Sequence, residues 1–324
     1  MTSPTASVIV AALNEEANID HVMDIALSDE SVIELIVADG GSNDATVHNV
    51  LARAETDPRV RLIRNPDHRQ AAGLNRAAAV ATGTLLVRLD GHTRYAQDYV
   101  TASLEASRPG VAAGGPMMAE GSTGWAGSTA SAMADSLAIG PARFHHASVV
   151  ETVDTVYLGV FERERFLELG GYRSFPSGTV EDTDFYARWR ASGGTVIVDP
   201  AIRCWYQPRG TWGALTAQYF RYGRGKAELV WLNGRLPSPR PLAPAMLTAG
   251  FGLTLILGLT MTWIPFVLLS AAWAIALTVV AARAPSSRLR TAIVAATMHA
   301  AYGAGLWWGL LAGRPNVQTL GLDP

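Results

Sequence analysis

The sequence predicts an α/β fold, a doubly wound and mostly parallel sheet with helices on both faces, followed by C-terminal transmembrane helices. Before residue 90, apolar runs of strand length alternate four times with helical patterns, which is typical of such a sheet. From residue 243 onwards charged side chains are rare, as a membrane environment requires. They are Arg283, Arg288, Arg290, Arg314 and Asp323.

Four apolar runs are predicted to be buried parallel strands. They lie at 7–13, 34–38, 60–64 and 83–90, and a helix is predicted from 70 to 81 before the fourth run. Parallel sheets of this kind bind ligands at the carboxyl ends of their strands. The polar residues that the sequence places there are Asn14, Glu15, Asp39 and Asp90.

The strand that ends at Asp90 carries two possible metal ligands. Asp90 offers a hard oxygen and His92 an imidazole nitrogen, while Gly91 lets the backbone turn so that both can approach one cation. The same tripeptide is compatible with an ordinary turn after a strand. Agreement with the other strand ends leads us to predict a divalent metal here.

Asp39 ends the second strand, where a carboxylate can accept hydrogen bonds from a nucleobase or ribose. The alternative is that Asp39 only stabilises the turn before the next helix, but Asp44 is better placed to cap that helix. The chain has no Gly-x-Gly-x-x-Gly motif after its first strand and no Gly-Lys-Ser/Thr loop. A nucleotide is therefore expected to be bound without either of those loops.

Glu181 and Asp182 are predicted to begin a helix, where the helix dipole favours ionised carboxylates. An ionised carboxylate can act as a general base, and Asp182 is the preferred candidate if the helix points at the cleft beside Asp90. The alternative is that the acidic pair only stabilises the start of the helix.

Three other features receive structural interpretations. Residues 112–140, rich in Gly, Ala, Ser and Met, are expected to form an adaptable loop over the cleft. His145 and His146 are neighbours whose side chains point in different directions, which favours surface structure over a metal site. Cys204 is the only cysteine, so an intrachain disulfide is excluded, and a strand-like context favours an inert core residue.

Composition also bears on partners and location. The formal net charge of −2 gives no overall basic field, so nucleic acid is not an expected partner. The N-terminus lacks basic residues, and its apolar run at 8–13 is too short for a signal sequence. The N-terminal domain, residues 1–210, is therefore expected in the cytoplasm.

The last part of the chain is predicted to contact and cross a membrane. Residues 211–240 mix aromatic and basic side chains, as a helix on a membrane surface does. Residues 241–324 contain three stretches near the ~20 residues that cross a bilayer, at about 243–263, 266–282 and 291–312. Basic residues flank these stretches on the side expected to be cytoplasmic. A buried helical core is the alternative.

The combination of Asp39, Asp90, the pair Glu181 and Asp182, and the segment Gln-Tyr-Phe-Arg-Tyr at 218–222 resembles family 2 inverting glycosyltransferases. Within that family it is most similar to the ExoA-like branch of succinoglycan biosynthesis. The resemblance covers roughly residues 7–226 and implies a GT-A fold, which is Rossmann-like. Two departures from the family pattern stand out, because His92 replaces an Asp and Tyr222 replaces a Trp.

The resemblance implies a role for each candidate residue. Asp182, with Glu181 beside it, is implied to be the catalytic base, and Asp90 with His92 to hold Mg²⁺ or Mn²⁺ on the diphosphate. The residues implied to contact the acceptor and pyrophosphate are Gln218, Arg221 and Tyr222. The residues implied to bind the nucleotide-sugar are Glu15, Asp39, Arg69, Asn75 and Asp90.

The implied activity is transfer of a hexose, with a UDP-sugar as the favoured donor, to a lipid-linked or membrane-associated glycan in exopolysaccharide or cell-envelope synthesis. The implied location is the cytoplasmic (inner) membrane, in multi-pass form. Two alternatives stay open from the sequence. A nucleotidyltransferase that makes nucleotide-sugars can use a similar sheet and metal, and a non-catalytic membrane scaffold needs no carboxylate chemistry.

Overall fold

The computed structural model describes residues 4–140, 144, 147–236 and 238–316. The strands in these residues, in chain order, are β1 (Ala6–Ala12), β2 (Val32–Asp39), β3 (Val60–Arg64), β4 (Leu85–Asp90), β5 (Thr93–Tyr95), β6 (Val111–Gly115), β7 (Met117–Ala119), β8 (Glu151–Thr152), β9 (Tyr157–Glu162), β10 (Thr195–Val198) and β11 (Cys204–Tyr206). The first nine helices are α1 (Ile19–Ala26), α2 (Thr46–Thr56), α3 (Gln70–Val80), α4 (Tyr99–Ala106), α5 (Gly124–Met133), α6 (Ser136–Ile139), α7 (Arg163–Glu168), α8 (Glu181–Ala191) and α9 (Trp212–Asn233). Three longer apolar helices follow, α10 (Leu242–Thr260), α11 (Ile264–Arg283) and α12 (Arg288–Leu311).

The main sheet has the strand order β3-β2-β1-β4-β9-β6-β10-β8 in the described part of the chain. The first four of these strands are parallel, β9 is antiparallel to both of its neighbours, and β6 and β10 are parallel to each other. The prediction of a mostly parallel sheet is therefore confirmed. The four predicted strands before residue 90 form its parallel half.

Both faces of the sheet are buried, which explains why its strands read as continuous apolar runs. In β1, Val8 and Val10 point into a core shared with α1 and α4, while Ile9 points into a second core shared with α3, α7 and α8. Helices cover both faces, as predicted. The carboxyl ends of β1, β2 and β4 open at one edge, next to the start of α8.

A smaller sheet with the strand order β5-β11-β7 lies beside the main one. Cys204 in β11 is fully buried opposite Tyr95 of β5, in agreement with its predicted structural role. Burial is the main cause that raises the pKa of the Cys204 thiol to about 12, so this thiol stays protonated at neutral pH.

One expectation for the middle of the chain has a definite outcome. The predicted loop at 112–140 is wrong, because this stretch contributes β6 to the main sheet, β7 to the small sheet, and helices α5 and α6. Small side chains there allow close packing of ordered elements. His145 and His146 lie outside the described residues. Asp44 accepts hydrogen bonds from the backbone N and Oγ1 of Thr46, the first residue of α2, although the N-cap position itself is Ala45.

The helix α9 packs closely against α12. A Cβ atom added to Gly223 would overlap the carbonyl oxygen of Tyr302 and lie 2.8 Å from the backbone nitrogen of Leu306. On the α12 side, a Cβ on Gly305 would lie 3.0 Å from the Cα of Phe220. Because glycine has no side chain, the two backbones touch at this crossing.

Two helices in the described residues, α10 and α11, are long and apolar enough to cross a membrane, and little of either is buried. They coincide with the first two predicted spans. The third predicted span forms α12, which is long enough but is not among these two helices. That span therefore stays a prediction at this point.

The close crossing of α9 and α12 gives a first testable prediction. The substitution Gly223→Ala places a methyl group against the α12 backbone, and we expect it to cost about 1–3 kcal/mol by overpacking. The measurement is the midpoint of thermal unfolding in detergent. Gly213→Ala, on the same helix where an added Cβ meets no atom within 4 Å, is the matched control. Equal unfolding midpoints for the two variants would contradict the close contact between the α9 and α12 backbones at Gly223.

Candidate active site

The candidate site lies where the end of β4, the turn after it, the start of α8 and the middle of α9 meet. The link between β4 and α8 is Arg88, an arginine inside the buried strand. Its Nε atom lies 3.1 Å from Oδ1 of Asp90, and its Nη2 atom lies 3.5 Å from Oε1 of Glu181. The guanidinium also lies 5.2 Å from the ring centre of Tyr172. One buried cation therefore joins two acidic segments that are 91 residues apart in the sequence.

Asp90 is almost fully buried, and its backbone is held by Tyr95. The Asp90 backbone N–H donates to Tyr95 Oη at 2.6 Å, and that hydroxyl donates to the Asp90 carbonyl. Burial alone would raise the pKa of the Asp90 carboxyl, but the charges of Arg88 and His92 and hydrogen bonds from Arg88 and Gln70 outweigh burial and lower it. The carboxylate is thus kept ionised and in a fixed place.

His92 faces Glu15, which follows β1. Their closest atoms, Nδ1 and Oε1, are 3.5 Å apart. Hydrogen bonding to Glu15 is the main cause that raises the pKa of His92, with the charge of Asp90 adding to it. Gly91 leaves room for Glu15, since an added Cβ would lie 2.6 Å from its Cγ atom. The structure therefore brings Glu15, Asp90 and His92 to one edge of the sheet.

These three groups do not by themselves form a closed metal site. Across the described residues, no three His, Cys, Asp or Glu side chains are arranged to hold a metal ion. Asp90 and His92 provide one oxygen and one nitrogen, and both Asp90 oxygens contact Arg88. Such a partial donor set suits a divalent ion that takes its remaining ligands from substrate phosphates and water.

Glu181 and Asp182 occupy the first turn of α8, as predicted. Burial is the largest cause that raises the pKa of Glu181 to about 7, and the charge of Asp182 raises it further, while Arg88 opposes both. Two adjacent carboxylates thus sit in different environments. Glu181 points to Arg88, and Asp182 contacts the next residue, Thr183.

Asp182 is linked to α9 through Thr183 and Lys226. Oδ1 of Asp182 accepts hydrogen bonds from the backbone N of Thr183 at 2.5 Å and from its Oγ1 at 3.2 Å. Lys226 Nζ donates to the same Oγ1 at 2.9 Å. Burial is the main cause that lowers the pKa of Lys226, although the nearby charge of Asp182 raises it. The helix α9 therefore supplies a buried cation beside the acidic pair.

The residue before the acidic pair has a strained backbone. Val180 has φ +66°, a left-handed value that is unfavourable for a β-branched side chain. Its side chain is buried with Phe175 and Leu229 of α9, and a Cβ on Gly225 of α9 would lie 2.9 Å from it. Close packing against α9 thus holds the turn that aims Glu181 and Asp182.

The segment at 218–222 contributes both packing and polar groups. Gln218 is buried and donates from Nε2 to Tyr206 Oη at 2.7 Å and to Tyr222 Oη at 2.8 Å. Arg221 has an exposed side chain, and its carbonyl accepts a hydrogen bond from Thr179. Gln218 and Tyr222 therefore form a fixed polar pair, while the Arg221 guanidinium is free to meet solvent or a ligand.

The remaining predicted nucleotide-binding residues lie further from the acidic pair. Asp39 accepts hydrogen bonds from the backbone of Gly41 and Ser42, in agreement with the turn interpretation, and it is only partly buried. Arg69 is exposed, with its Nη1 atom 3.4 Å from the carbonyl oxygen of Phe175. Their proposed contacts with a nucleotide stay predictions.

Asn75 has a clear structural contact. Its amide donates to the carbonyl of Tyr172 and accepts from the Tyr172 backbone N–H, both at 2.8 Å. Because the Tyr172 ring lies over Arg88, Asn75 supports the site from behind. Direct contact of Asn75 with a nucleotide stays a prediction.

Sequence reasoning missed Arg88 and Lys226. The signal for Arg88 was available, because a single arginine inside an apolar strand must be paired when it is buried. Lys226 had no such signal, since it lies in a helix that also carries Arg221, which is exposed, and Arg224, which is partly exposed. Only the packing of α9 on α8 distinguishes it from them.

Comparisons with known proteins show which proteins this chain resembles. A family model described as "Glycosyl transferase family 2" matches residues 7–138. Residues 7–138 form a glycosyl transferase family 2 domain. The succinoglycan biosynthesis protein ExoA of Rhizobium meliloti (strain 1021) is 28% identical over 334 residues, covering 98% of this chain and 98% of that protein. The chain is a glycosyltransferase.

A solved glycosyltransferase shares the fold. The mannosyltransferase PcManGT from Pyrobaculum calidifontis, solved in complex with GDP-Man and Mn²⁺, superposes with a TM-score of 0.65. The superposition covers 95% of this chain and 88% of that chain, at 22% sequence identity. It supports the predicted GT-A fold. The family 2 domain as matched includes Asp90 and His92 but ends before Glu181.

The environment of Glu181 generates a prediction about stability and pH. Because the pKa of Glu181 is raised in the folded state from 4.5 to about 7, its contribution to stability is present below pH 4.5 and is lost as pH rises through 7. Glu181→Gln mimics the neutral acid, so we expect its unfolding midpoint to rise relative to the parent between pH 5 and pH 8. A difference of about 1–3 kcal/mol is expected.

The measurement is the unfolding midpoint of both proteins in detergent at each pH. Glu55→Gln, on the exposed side of α2, is the control, and its difference from the parent should not vary with pH. A constant difference for Glu181→Gln would contradict the assigned environment.

Proposed function

We propose that this glycosyltransferase moves a hexose, with inversion, from a nucleotide-diphosphate sugar to a hydroxyl of a lipid-linked or membrane-associated glycan. The observation that carries this proposal is the buried bridge from Asp90 through Arg88 to Glu181. A donor diphosphate is expected at the end of β4, and a base is expected in the acidic pair. The bridge brings these two places together. An inverting transfer needs both in one site.

Asp182 is the proposed general base. Its Oδ1 atom is held by Thr183, and the other carboxylate oxygen is left to receive a proton. In the proposed reaction the acceptor hydroxyl oxygen forms a bond to the anomeric carbon while the bond from that carbon to the diphosphate breaks. The hydroxyl proton goes to Asp182, and the nucleoside diphosphate leaves with the bonding electron pair. General-base catalysis of this kind contributes about 10²- to 10⁴-fold.

Asp90 and His92 are the residues proposed to hold Mg²⁺ or Mn²⁺. When bound, the ion would offset the negative charge that develops on the leaving diphosphate. Glu15 lies behind His92 and orients its ring, as partners of metal-binding histidines commonly do. Arg88 keeps Asp90 ionised. The Mn²⁺ bound in PcManGT supports a divalent ion without deciding between the two metals.

The acceptor side is proposed to be α9, which carries Gln218, Arg221 and Tyr222. This helix lies between the acidic pair and the apolar C-terminal helices, so an acceptor attached to a lipid can reach the site from the membrane. The relative ExoA, named for succinoglycan biosynthesis, supports a role in exopolysaccharide synthesis. The proposed location is the cytoplasmic membrane, with the donor taken from the cytosol.

The donor sugar is proposed to be a UDP-hexose, with Glu15 and Asp39 orienting the uracil and ribose. PcManGT was solved with GDP-Man, so GDP-mannose belongs in any donor panel. Mass analysis of the products that membranes form from such a panel identifies the sugar. Label that enters the lipid fraction supports transfer, whereas label exchanged with pyrophosphate supports a nucleotidyltransferase.

The role of Asp182 gives a prediction for the reaction itself. In Asp182→Asn, we expect kcat for transfer to fall by about 10²- to 10⁴-fold, while the donor KM changes little, because the carboxylate acts on the acceptor proton. The measurement is the initial rate of transfer from labelled donor to membrane lipid. Glu164→Gln, an exposed change on α7, is the control and should keep the parent rate. Full activity in Asp182→Asn would contradict the assignment of Asp182 as the general base.

The proposed metal set gives a separate prediction. Chelation should abolish transfer, and either Mg²⁺ or Mn²⁺ should restore it. We expect His92→Ala to need at least tenfold more metal for half-maximal activity, while His92→Asp keeps a ligand and remains active. Titration of activity with each metal checks this, with Arg94→Ala as the neighbouring control on the exposed side of β5. Activity that persists after chelation would overturn the metal assignment.

A further inference from the structure

The path of α12 determines which parts of this chain can enter a bilayer. The contacts of α12 with α9 extend over much of its length. Trp212 Nε1 near the start of α9 donates to Thr297 Oγ1 at 2.9 Å, and Trp231 Nε1 near its end donates to the carbonyl of Gly309 at 3.3 Å. Between these points lie the glycine contacts at Gly223 and Gly305. The two helices therefore run side by side in the same direction.

The partner helix α9 cannot lie in hydrocarbon. It carries Arg221, Arg224, Lys226 and Glu228, and Glu228 accepts a hydrogen bond from the backbone of Ser177 in the loop before α8. Placing one charged side chain at the centre of a bilayer costs about 2.5–3.5 kcal/mol of free energy on insertion scales. Because α9 is part of the active site and stays outside the hydrocarbon, the stretch of α12 packed on it must also stay outside.

The other end of α12 is attached to the catalytic domain as well. His299 Nε2 lies 3.1 Å from the carbonyl oxygens of Leu137 and Ala138 at the end of α6. The guanidinium of Arg290 lies 5.7 Å from the ring centre of Trp125 on α5. Contacts with the catalytic domain thus begin in the first turn of α12 and continue to Gly309, close to its end.

The hairpin formed by α10 and α11 is arranged differently. Its base contacts α12, where Trp307 Nε1 donates to the carbonyl of Ala245. Halfway along α11, Trp273 Nε1 donates to His299 Nδ1 of α12. Among the described residues, no hydrogen bond or ion pair joins its far end to the catalytic domain, and this end exposes large apolar side chains. These are Leu253, Ile256, Leu259, Met261, Trp263, Ile264, Val267 and Leu268.

We propose that the α10–α11 hairpin is the membrane insertion of this chain and that α12 does not cross the bilayer. The residues after α12 then lie on the same side of the membrane as the catalytic domain. The partner of the hairpin tip is the acyl region of the bilayer. Arg235 and Arg288 are exposed next to the base of the hairpin in the chain, where anionic headgroups complement their charge, while Arg240 and Arg283 pair with Asp154 and Asp135. The inference rests on the membrane attachment given under Proposed function, and it replaces a three-span arrangement with a two-helix one.

Cysteine labelling tests this arrangement, because the single native cysteine, Cys204, is buried. Glu55→Cys on the exposed side of α2 reports the catalytic domain, and Arg314→Cys after α12 reports the C-terminal side. Each variant is expressed in a Gram-negative host and treated with a membrane-impermeant maleimide, in spheroplasts and in inverted inner-membrane vesicles. Detergent-solubilised samples show that each thiol is reactive, and unfolding midpoints equal to the parent's show that each variant is folded.

We expect both cysteines to react in inverted vesicles and both to be protected in spheroplasts. Reaction of Arg314→Cys in spheroplasts while Glu55→Cys is protected would overturn the proposal, because α12 would then cross the bilayer. Reaction of both in spheroplasts would preserve the arrangement but contradict a cytosolic donor. Recovery of the protein in the soluble fraction after a carbonate wash would overturn insertion of the hairpin.

Discussion

The organisation of the active site depends on the buried charge of Arg88. An arginine in the middle of a strand that is covered on both faces must be neutralised, since an unpaired charge there costs several kcal/mol. Asp90 and Glu181 both approach it, and the Tyr172 ring covers it. Because one partner ends β4 and the other begins α8, the requirement to neutralise Arg88 aligns the sheet with the acidic helix. Removing the Asp90 carboxylate, whose pKa Arg88 lowers, would leave the arginine underpaired.

The helix α9 transmits this alignment to the membrane side. One side of α9 holds the strained turn at Val180 through Gly225 and contacts Thr183 through Lys226. Another side meets α12 through Gly223. The acidic pair and the apolar C-terminal helices are therefore neighbours of the same short stretch of helix. One element therefore contacts both the proposed base and the helices proposed to insert into the membrane, which suits the proposed lipid-linked acceptor.

Periodicity in the sequence was sufficient to predict the parallel half of the sheet. The runs at 7–13 and 34–38 become β1 and β2, because a strand buried on both faces has few polar positions to obscure the pattern. The run at 60–64 becomes β3, an edge strand with exposed Arg61 and Arg64. The stretch 112–140 could not be predicted in the same way. Its small residues are compatible with loop, strand and helix alike, and only contacts with distant strands decide among them.

The acidic candidates were predictable from their place at strand and helix ends. The structure places Asp90, His92 and Glu15 at one edge of the sheet. Arg88 joins Glu181 to Asp90. Their supporting residues were less accessible from the sequence. Asn75 was assigned to the nucleotide pocket, and both the oxygen and the nitrogen of its amide bond the backbone of Tyr172. Lys226 was not singled out, because its hydrogen bond to Thr183, 43 residues away in the sequence, depends on how α8 and α9 pack. Side chains that act through others depend on tertiary contacts, which a single sequence does not display.

The glycine contact between α9 and α12 has a practical consequence for handling the enzyme. With no side chains between the two backbones at Gly223 and Gly305, the helices have little freedom to slide or tilt independently. We therefore expect a micelle that distorts the apolar hairpin to displace the turn at Val180 as well, because α9 contacts both α12 and that turn. Extraction in a medium that preserves lateral pressure, such as a lipid nanodisc, is the appropriate way to retain native turnover.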